Sequence, residues 1–321
     1  MNPILLNINV IIYLISESIL FIFILYAFLN TLYILSRWDF KSFTTRQYNL
    51  ERRAYLIVTI ISFIFIVKFF LLPFFVFTID GLNTLVPGAM CAAGVISANS
   101  YGMALLFLKL LIIFFLIFWL LINKYDLLSI DYRFFKFKNY LFLLIAILFA
   151  IEIYYDFNYF LNIDISKPVS CCSTLFGQLE GANPLPFGLD QKMLLILFYL
   201  LFLGVIFSYF SNKILHIFFL ILFLIISYYG VTYFFGTYIY ELPTHKCPFC
   251  MLQKEYFYIG YLIWGSLFLG SFLGISANLI ELIFRLDLTK YKKISILLLV
   301  IFTIIVSLYP LMFYLRNGVW L

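Results

Sequence analysis

Residues Tyr101–Ile122 read YGMALLFLKLLIIFFLIFWLLI, an apolar run broken by the single charge of Lys109. About 20 apolar residues, each rising about 1.5 Å in a helix, cross the hydrocarbon core of a bilayer. The continuity of the run argues against an outer-membrane barrel, whose segments alternate and are about ten residues long. Seven more such runs lie on either side, at about Ile11–Leu35, Ala54–Ile79, Tyr140–Ile153, Met193–Phe210, Leu215–Phe234, Glu255–Leu273 and Ile294–Tyr314. The expected fold is all-α, a polytopic membrane helix bundle of about eight transmembrane helices forming one transmembrane domain over 1–321. The Tyr140–Ile153 run is the shortest, and it can be extended at either end.

Composition agrees. Of 321 residues, 65% are hydrophobic and 11% charged, and the mean hydropathy is +1.08. No soluble domain reads this way. The 41 phenylalanines and 25 tyrosines are spread along the chain, as lipid-facing and interfacial positions require. The net charge of +6 comes from short loops between apolar runs, so it reads as a topology signal and not as a nucleic-acid surface. Met1–Val10 lacks a basic start, and the run that follows outlasts a signal-peptide core without an Ala-x-Ala end. It is expected to be a retained first span.

Basic residues crowd alternate connections: Arg37, Lys41, Arg46, Arg52 and Arg53 in the first, Lys124, Arg133, Lys136 and Lys138 in the third, Lys213 in the fifth, and Arg285, Lys290, Lys292 and Lys293 in the seventh. The positive-inside rule places these loops in the cytoplasm and both termini outside, in the periplasm if the membrane is a bacterial inner membrane. All five cysteines then fall on the external side, Cys91 in the second loop, Cys171 and Cys172 in the fourth, Cys247 and Cys250 in the sixth. Cysteines scattered through a membrane core would show no such bias, and disulfides persist in an oxidising compartment. The second loop turns at Pro87-Gly88 and carries small residues around Cys91, which permit close backbone approach. The fourth, 158–191, is long enough to form an external cap loop.

The segment with chemistry in its spacing is His245-Lys246-Cys247-Pro248-Phe249-Cys250-Met251-Leu252-Gln253-Lys254. Cys-x-x-Cys at the entrance of a helix sets a thiol near unpaired backbone N–H groups, which favour the thiolate and so disulfide exchange. The same pair, with Met251 or His245, could hold a soft metal such as copper. A structural disulfide is the plainer alternative. Gln253 could hydrogen-bond a thiolate, a quinone carbonyl or another helix. Cys250 is followed by Met251 and not by histidine, which excludes a c-type haem attachment motif. No phosphate-binding glycine loop or His-Glu-x-x-His motif occurs.

Within the spans, Glu17, Lys68, Lys109 and Glu152 need partners or water, because an isolated charge in lipid is costly. Glu17 and Glu152 fall near the external ends and Lys68 and Lys109 near mid-membrane, where they read as a quinone site, a proton path or simple interhelical links. Asp156, Asn158 and Asp164 read as a solvated rim, and His216 as a satisfied helix-end histidine. Gly265, Gly270, Ser271 and Gly274 favour close packing of the seventh span against another helix.

Cys-x-x-Cys-x-x-Gln followed by a basic residue resembles the DsbB-like, bacterial inner-membrane disulfide-bond-forming quinone reductase family. The resemblance covers Thr244–Phe257 and, more loosely, a helical pair over 240–314, and it does not extend to the first six spans. It implies a thiol-disulfide oxidoreductase exchanging electrons between a periplasmic thioredoxin-like partner and ubiquinone or menaquinone. By the same analogy Cys247 and Cys250 are the quinone-proximal redox pair, and Gln253 and Lys254 stand behind it. The family usually has arginine at the position of Lys254, so the planar fork is lost here. The family's second cysteine pair has no counterpart after Cys250, which leaves Cys91, Cys171 or Cys172 as the exchange partner. Lipid and other membrane subunits complete the expected partners. A copper transporter or assembly factor and a structural membrane subunit are the alternatives.

Overall fold

A computed structural model describes residues 3–40, 44–129, 133–169, 188 and 190–321. Among the described residues, eight helices are long and apolar enough to cross a membrane: α1 (Ile8–Arg37), α2 (Thr45–Gly81), α3 (Tyr101–Leu128), α4 (Phe135–Leu161), α5 (Gln191–Ser208), α6 (Lys213–Tyr240), α7 (Ile259–Phe284) and α8 (Thr289–Asn317). In hydrocarbon a backbone N–H or C=O finds no water, so each span must satisfy its hydrogen bonds internally, as a helix does. The chain is an all-α, multi-pass membrane protein.

The contacts divide it into two compact units, 1–85 with 96–165, and 86–95 with 166–321. In the first unit α1 packs on α2 and α4, α3 on α4, and α2 on α3, which makes a closed set of four helices. The buried face of α1 runs Val10, Tyr13, Glu17, Leu20, Ile24, Ala27, Thr31, Ile34, alternating steps of three and four. Such a seam keeps one side of a helix against its neighbours along its whole length. Residues off the seam face outward, among them Ile22 and Leu29. Lipid is the solvent that accepts them.

In the second unit α5 packs on α6, α6 on α7, and α7 on α8. A Cβ at Gly270 would come within 2.8 Å of Leu299, and Ser295 Oγ donates to the Gly270 carbonyl at 2.6 Å. Small residues thus bring α7 and α8 together, and a side-chain bond joins them. Gly265 has open space where its side chain would be and takes no part. α6 contains a π-helical turn, Val231–Phe235, before its last stretch Gly236–Tyr240.

Two boundaries differ from those expected. The fourth span is not short: α4 has 27 residues, because Lys138, Asn139, Glu152 and Asp156 depress its hydropathy yet are buried against partners. The seventh begins at Ile259 and not at Glu255. Cys250–Leu252 and Lys254–Tyr256 are separate 3₁₀ turns, and Phe257 and Tyr258 take left-handed backbone (φ 53° and 56°) before α7 starts. The Cys-x-x-Cys therefore does not open the transmembrane helix, and any preference for thiolate must come from its own turn and neighbours. The expected cap over 158–191 falls largely outside the described residues.

Candidate functional site

The second unit contains a cluster of three buried thiols. Cys91, Cys247 and Cys250 are 0%, 2% and 6% exposed, and their sulfurs lie within 4.8 Å of one another. Cys91 Sγ and Cys247 Sγ are 3.6 Å apart, a thiol contact and not a disulfide. Residues separated by 156 positions are thus placed within reach of sulfur-on-sulfur attack. Cys171 and Cys172 lie outside the described residues.

Local structure explains how the thiols meet. The Cys91 loop turns at Gly88, whose φ of +79° favours glycine and whose absent Cβ leaves room for the Val169 carbonyl. Val169 N–H donates to the Pro87 carbonyl at 2.8 Å and fixes the turn. Gln253 Nε2 donates to the Met90 carbonyl at 3.0 Å, tying the Cys-x-x-Cys segment to the residue before Cys91. Gln253 thus bonds a loop carbonyl, a partner different from the thiolate, quinone or helix expected of it. Lys254, whose side chain is 77% exposed, has Glu255 4.0 Å away.

The Cys-x-x-Cys turn is gripped from both sides of the segment. Tyr240 Oη donates to the Cys247 carbonyl at 2.5 Å and accepts from the Met251 N–H at 3.1 Å. Trp264 Nε1 on α7 donates to the Pro248 carbonyl at 2.9 Å. Gly260 lets the turn approach α7, since a Cβ there would fall 2.6 Å from Met251 Cγ and 2.9 Å from its carbonyl carbon. The His245 ring lies edge-on to Tyr240 with centroids 4.4 Å apart. Burial, together with Cys250 and Glu255 nearby, pushes the Tyr256 hydroxyl above the usual tyrosine range. Tyr240, Trp264 and Gly260 were not legible as site residues; aromatic residues are common throughout this chain, and nothing in their spacing marks these.

The first unit contains a cluster of charges. Lys68 Nζ contacts Glu17 Oε1 at 2.6 Å and Glu152 Oε1 at 2.9 Å. Lys109 Nζ contacts Glu152 Oε1 at 2.6 Å and Asp156 Oδ2 at 3.0 Å. Tyr13 joins them, accepting from Lys109 at 2.5 Å. Each of the four helices contributes. Asp156 is fully buried in this network and is not part of a solvated rim, because α4 turns it inward one turn beyond Glu152. Glu17 and Glu152 share a level with the lysines, whose long stems bring the ammonium groups to the carboxylates. Lys68 and Lys109, expected beside a cofactor, are engaged in ion pairs here. His216 lies in the first turn of α6 and is buried there.

The chain matches no protein-family model, no curated protein and no solved structure. Chemistry must therefore be argued from the two clusters themselves. Three adjacent thiols in a membrane protein are a redox-capable arrangement.

Proposed function

We propose that the chain is a membrane thiol-disulfide oxidoreductase of the bacterial inner membrane, exchanging electrons between a periplasmic thioredoxin-like protein and a quinone. The observation that supports it is the 3.6 Å separation of Cys91 Sγ and Cys247 Sγ, with Cys250 in the same cluster. With Cys247 and Cys250 joined, the Cys91 thiolate attacks the Cys247 sulfur. The Cys91–Cys247 bond forms as the Cys247–Cys250 bond breaks, and Cys250 leaves as the thiolate. Cys247 is the shared member, so one disulfide moves between two partners without net oxidation. Because all three sulfurs are buried, the soluble partner gains access only when the Cys-x-x-Cys turn opens.

A bound quinone supplies the two-electron, two-proton couple that a dithiol-to-disulfide change requires. The exposed ammonium of Lys254, four residues after Cys250, is a donor suited to a quinone oxygen. Gln253 serves such a site by fixing the turn, since its amide donates to Met90. Purified protein is expected to react with added ubiquinone or menaquinone and to lose that reaction in Cys247→Ser and Cys250→Ser. Full quinone reactivity without both thiols would refute the mechanism.

The same three sulfurs favour a second reading, a soft-metal site in a copper transporter or assembly factor, since gathered thiolates select such ions. Metal analysis of anaerobically purified protein separates the two. Stoichiometric metal, released when two of the three cysteines are replaced, would support metal handling over exchange.

A further inference from the structure

The charged cluster of the first unit is distinct from the thiols, and its hydrogens do not balance its acceptors. Glu17, Glu152 and Asp156 bring three carboxyl groups within 4.8 Å of one another, against the two ammonium groups of Lys68 and Lys109. With every group ionised, one negative charge is left over in the interior of a membrane protein, where an uncompensated charge is expensive. Among the described residues, no arginine or histidine contacts the cluster, and its further polar member is Tyr13.

Two atoms show where a hydrogen is missing. Tyr13 Oη lies 2.9 Å from Glu17 Oε1 and 3.0 Å from Asp156 Oδ1, but a tyrosine hydroxyl has one hydrogen and satisfies one of them at a time. Glu152 takes both ammonium groups on Oε1, and its Oε2 is buried without a hydrogen-bond partner among the described residues. Glu152 also lines, with Glu17, Lys68 and Lys109, a cavity of about 10 Å³. That is close to the least volume that admits one water.

We propose that this cluster is a proton-binding site: its three carboxyl groups, Glu17, Glu152 and Asp156, together hold one exchangeable proton. A proton on Asp156 Oδ1 donates to Tyr13 Oη while Tyr13 donates to Glu17, and a proton on Glu152 Oε2 is satisfied by a water in the cavity. Either position brings the net charge to zero. A metal cation is the competing ligand for an acidic cluster, but two ammonium groups line the cavity and repel it. Small motions of Tyr13 carry the proton between α1 and α4, which is the elementary act of a proton relay.

Infrared difference spectroscopy of the full chain in lipid nanodiscs tests this. The wild type is expected to show a protonated-carboxyl C=O band near neutral pH that shifts on deuterium exchange. In Asp156→Asn and in Glu152→Gln, two carboxylates balance two ammonium groups, and the band should vanish. Asp156→Asn imitates the protonated acid toward Tyr13, so that variant should fold and melt no lower than wild type. Absence of the band in folded wild type, or its persistence in both variants, would overturn the proposal. Loss of the band on adding sodium or potassium would overturn it in favour of a cation site.

Discussion

Tyr240 holds Cys247 by its main chain: the phenol donates to the Cys247 carbonyl and accepts from Met251, so one side chain closes both ends of the Cys-x-x-Cys turn. Position, more than acidity, is what this contact supplies. With its backbone held in this way, Cys247 places its sulfur 3.6 Å from that of Cys91.

Tyr240→Phe removes both bonds, one to the Cys247 carbonyl and one from the Met251 N–H. A buried polar group that loses its partner costs about 1–3 kcal/mol. We expect a lower Tm and faster alkylation of Cys247 and Cys250 by a thiol reagent under native conditions. Unchanged alkylation would show that the turn is held by other means.

Gln253→Ala cuts the bond to the Met90 carbonyl, a side-chain tie between the Cys91 loop and the Cys-x-x-Cys segment. The bond is exposed, so stability should fall by only about 1 kcal/mol. Mild oxidation should yield less Cys91–Cys247 disulfide and an undiminished amount of Cys247–Cys250. An equal loss of both would place Gln253 in the Cys-x-x-Cys turn alone.

Lys109→Met removes the ammonium that serves Glu152 and Asp156 together. Breaking one side of a buried ion pair costs roughly 3–5 kcal/mol. A marked fall in Tm is expected. The double change Lys109→Met with Asp156→Asn restores the original count of excess charge and should recover part of the loss.

Membrane orientation is open to direct measurement. Reporter fusions after Arg53 and after Lys293 should behave as cytoplasmic, and an impermeant thiol reagent added after reduction and gentle unfolding should reach Cys247 from the opposite side. Labelling of Cys247 from the cytoplasmic side would reverse the topology and remove the soluble partner's access.

The spans were legible because hydropathy is a sum over about 20 residues, which local exceptions barely disturb. Where those exceptions cluster, the sum misleads: Glu152 and Asp156 shortened the fourth span on paper, although α4 continues through them to Leu161. Loop parity put Cys91 and Cys247 on one face, since alternate loops share a side, but the contact of these two sulfurs, with Cys171 and Cys172 equally open as partners, comes from the fold. The grip of Tyr240 did not, because one tyrosine among 25 carries no distinguishing pattern. The helix start was misplaced for a related reason. Lys254–Tyr256 has the composition of a helical turn, and the left-handed backbone at Phe257 and Tyr258 is not a preference that those residues announce. Ion pairing across four helices was likewise hidden: the sequence showed charges needing partners, but only the fold says which ones meet.

Disulfide mapping in two single variants tests the proposed exchange most directly. Each protein is reduced, oxidised with one equivalent of diamide, a thiol oxidant that needs no quinone site, alkylated and analysed by mass spectrometry. Cys250→Ser should trap a Cys91–Cys247 disulfide, and Cys91→Ser a Cys247–Cys250 disulfide, since Cys247 is the sulfur common to both bonds. Cys247 recovered in the alkylated form from both variants would contradict a disulfide relay through this cluster.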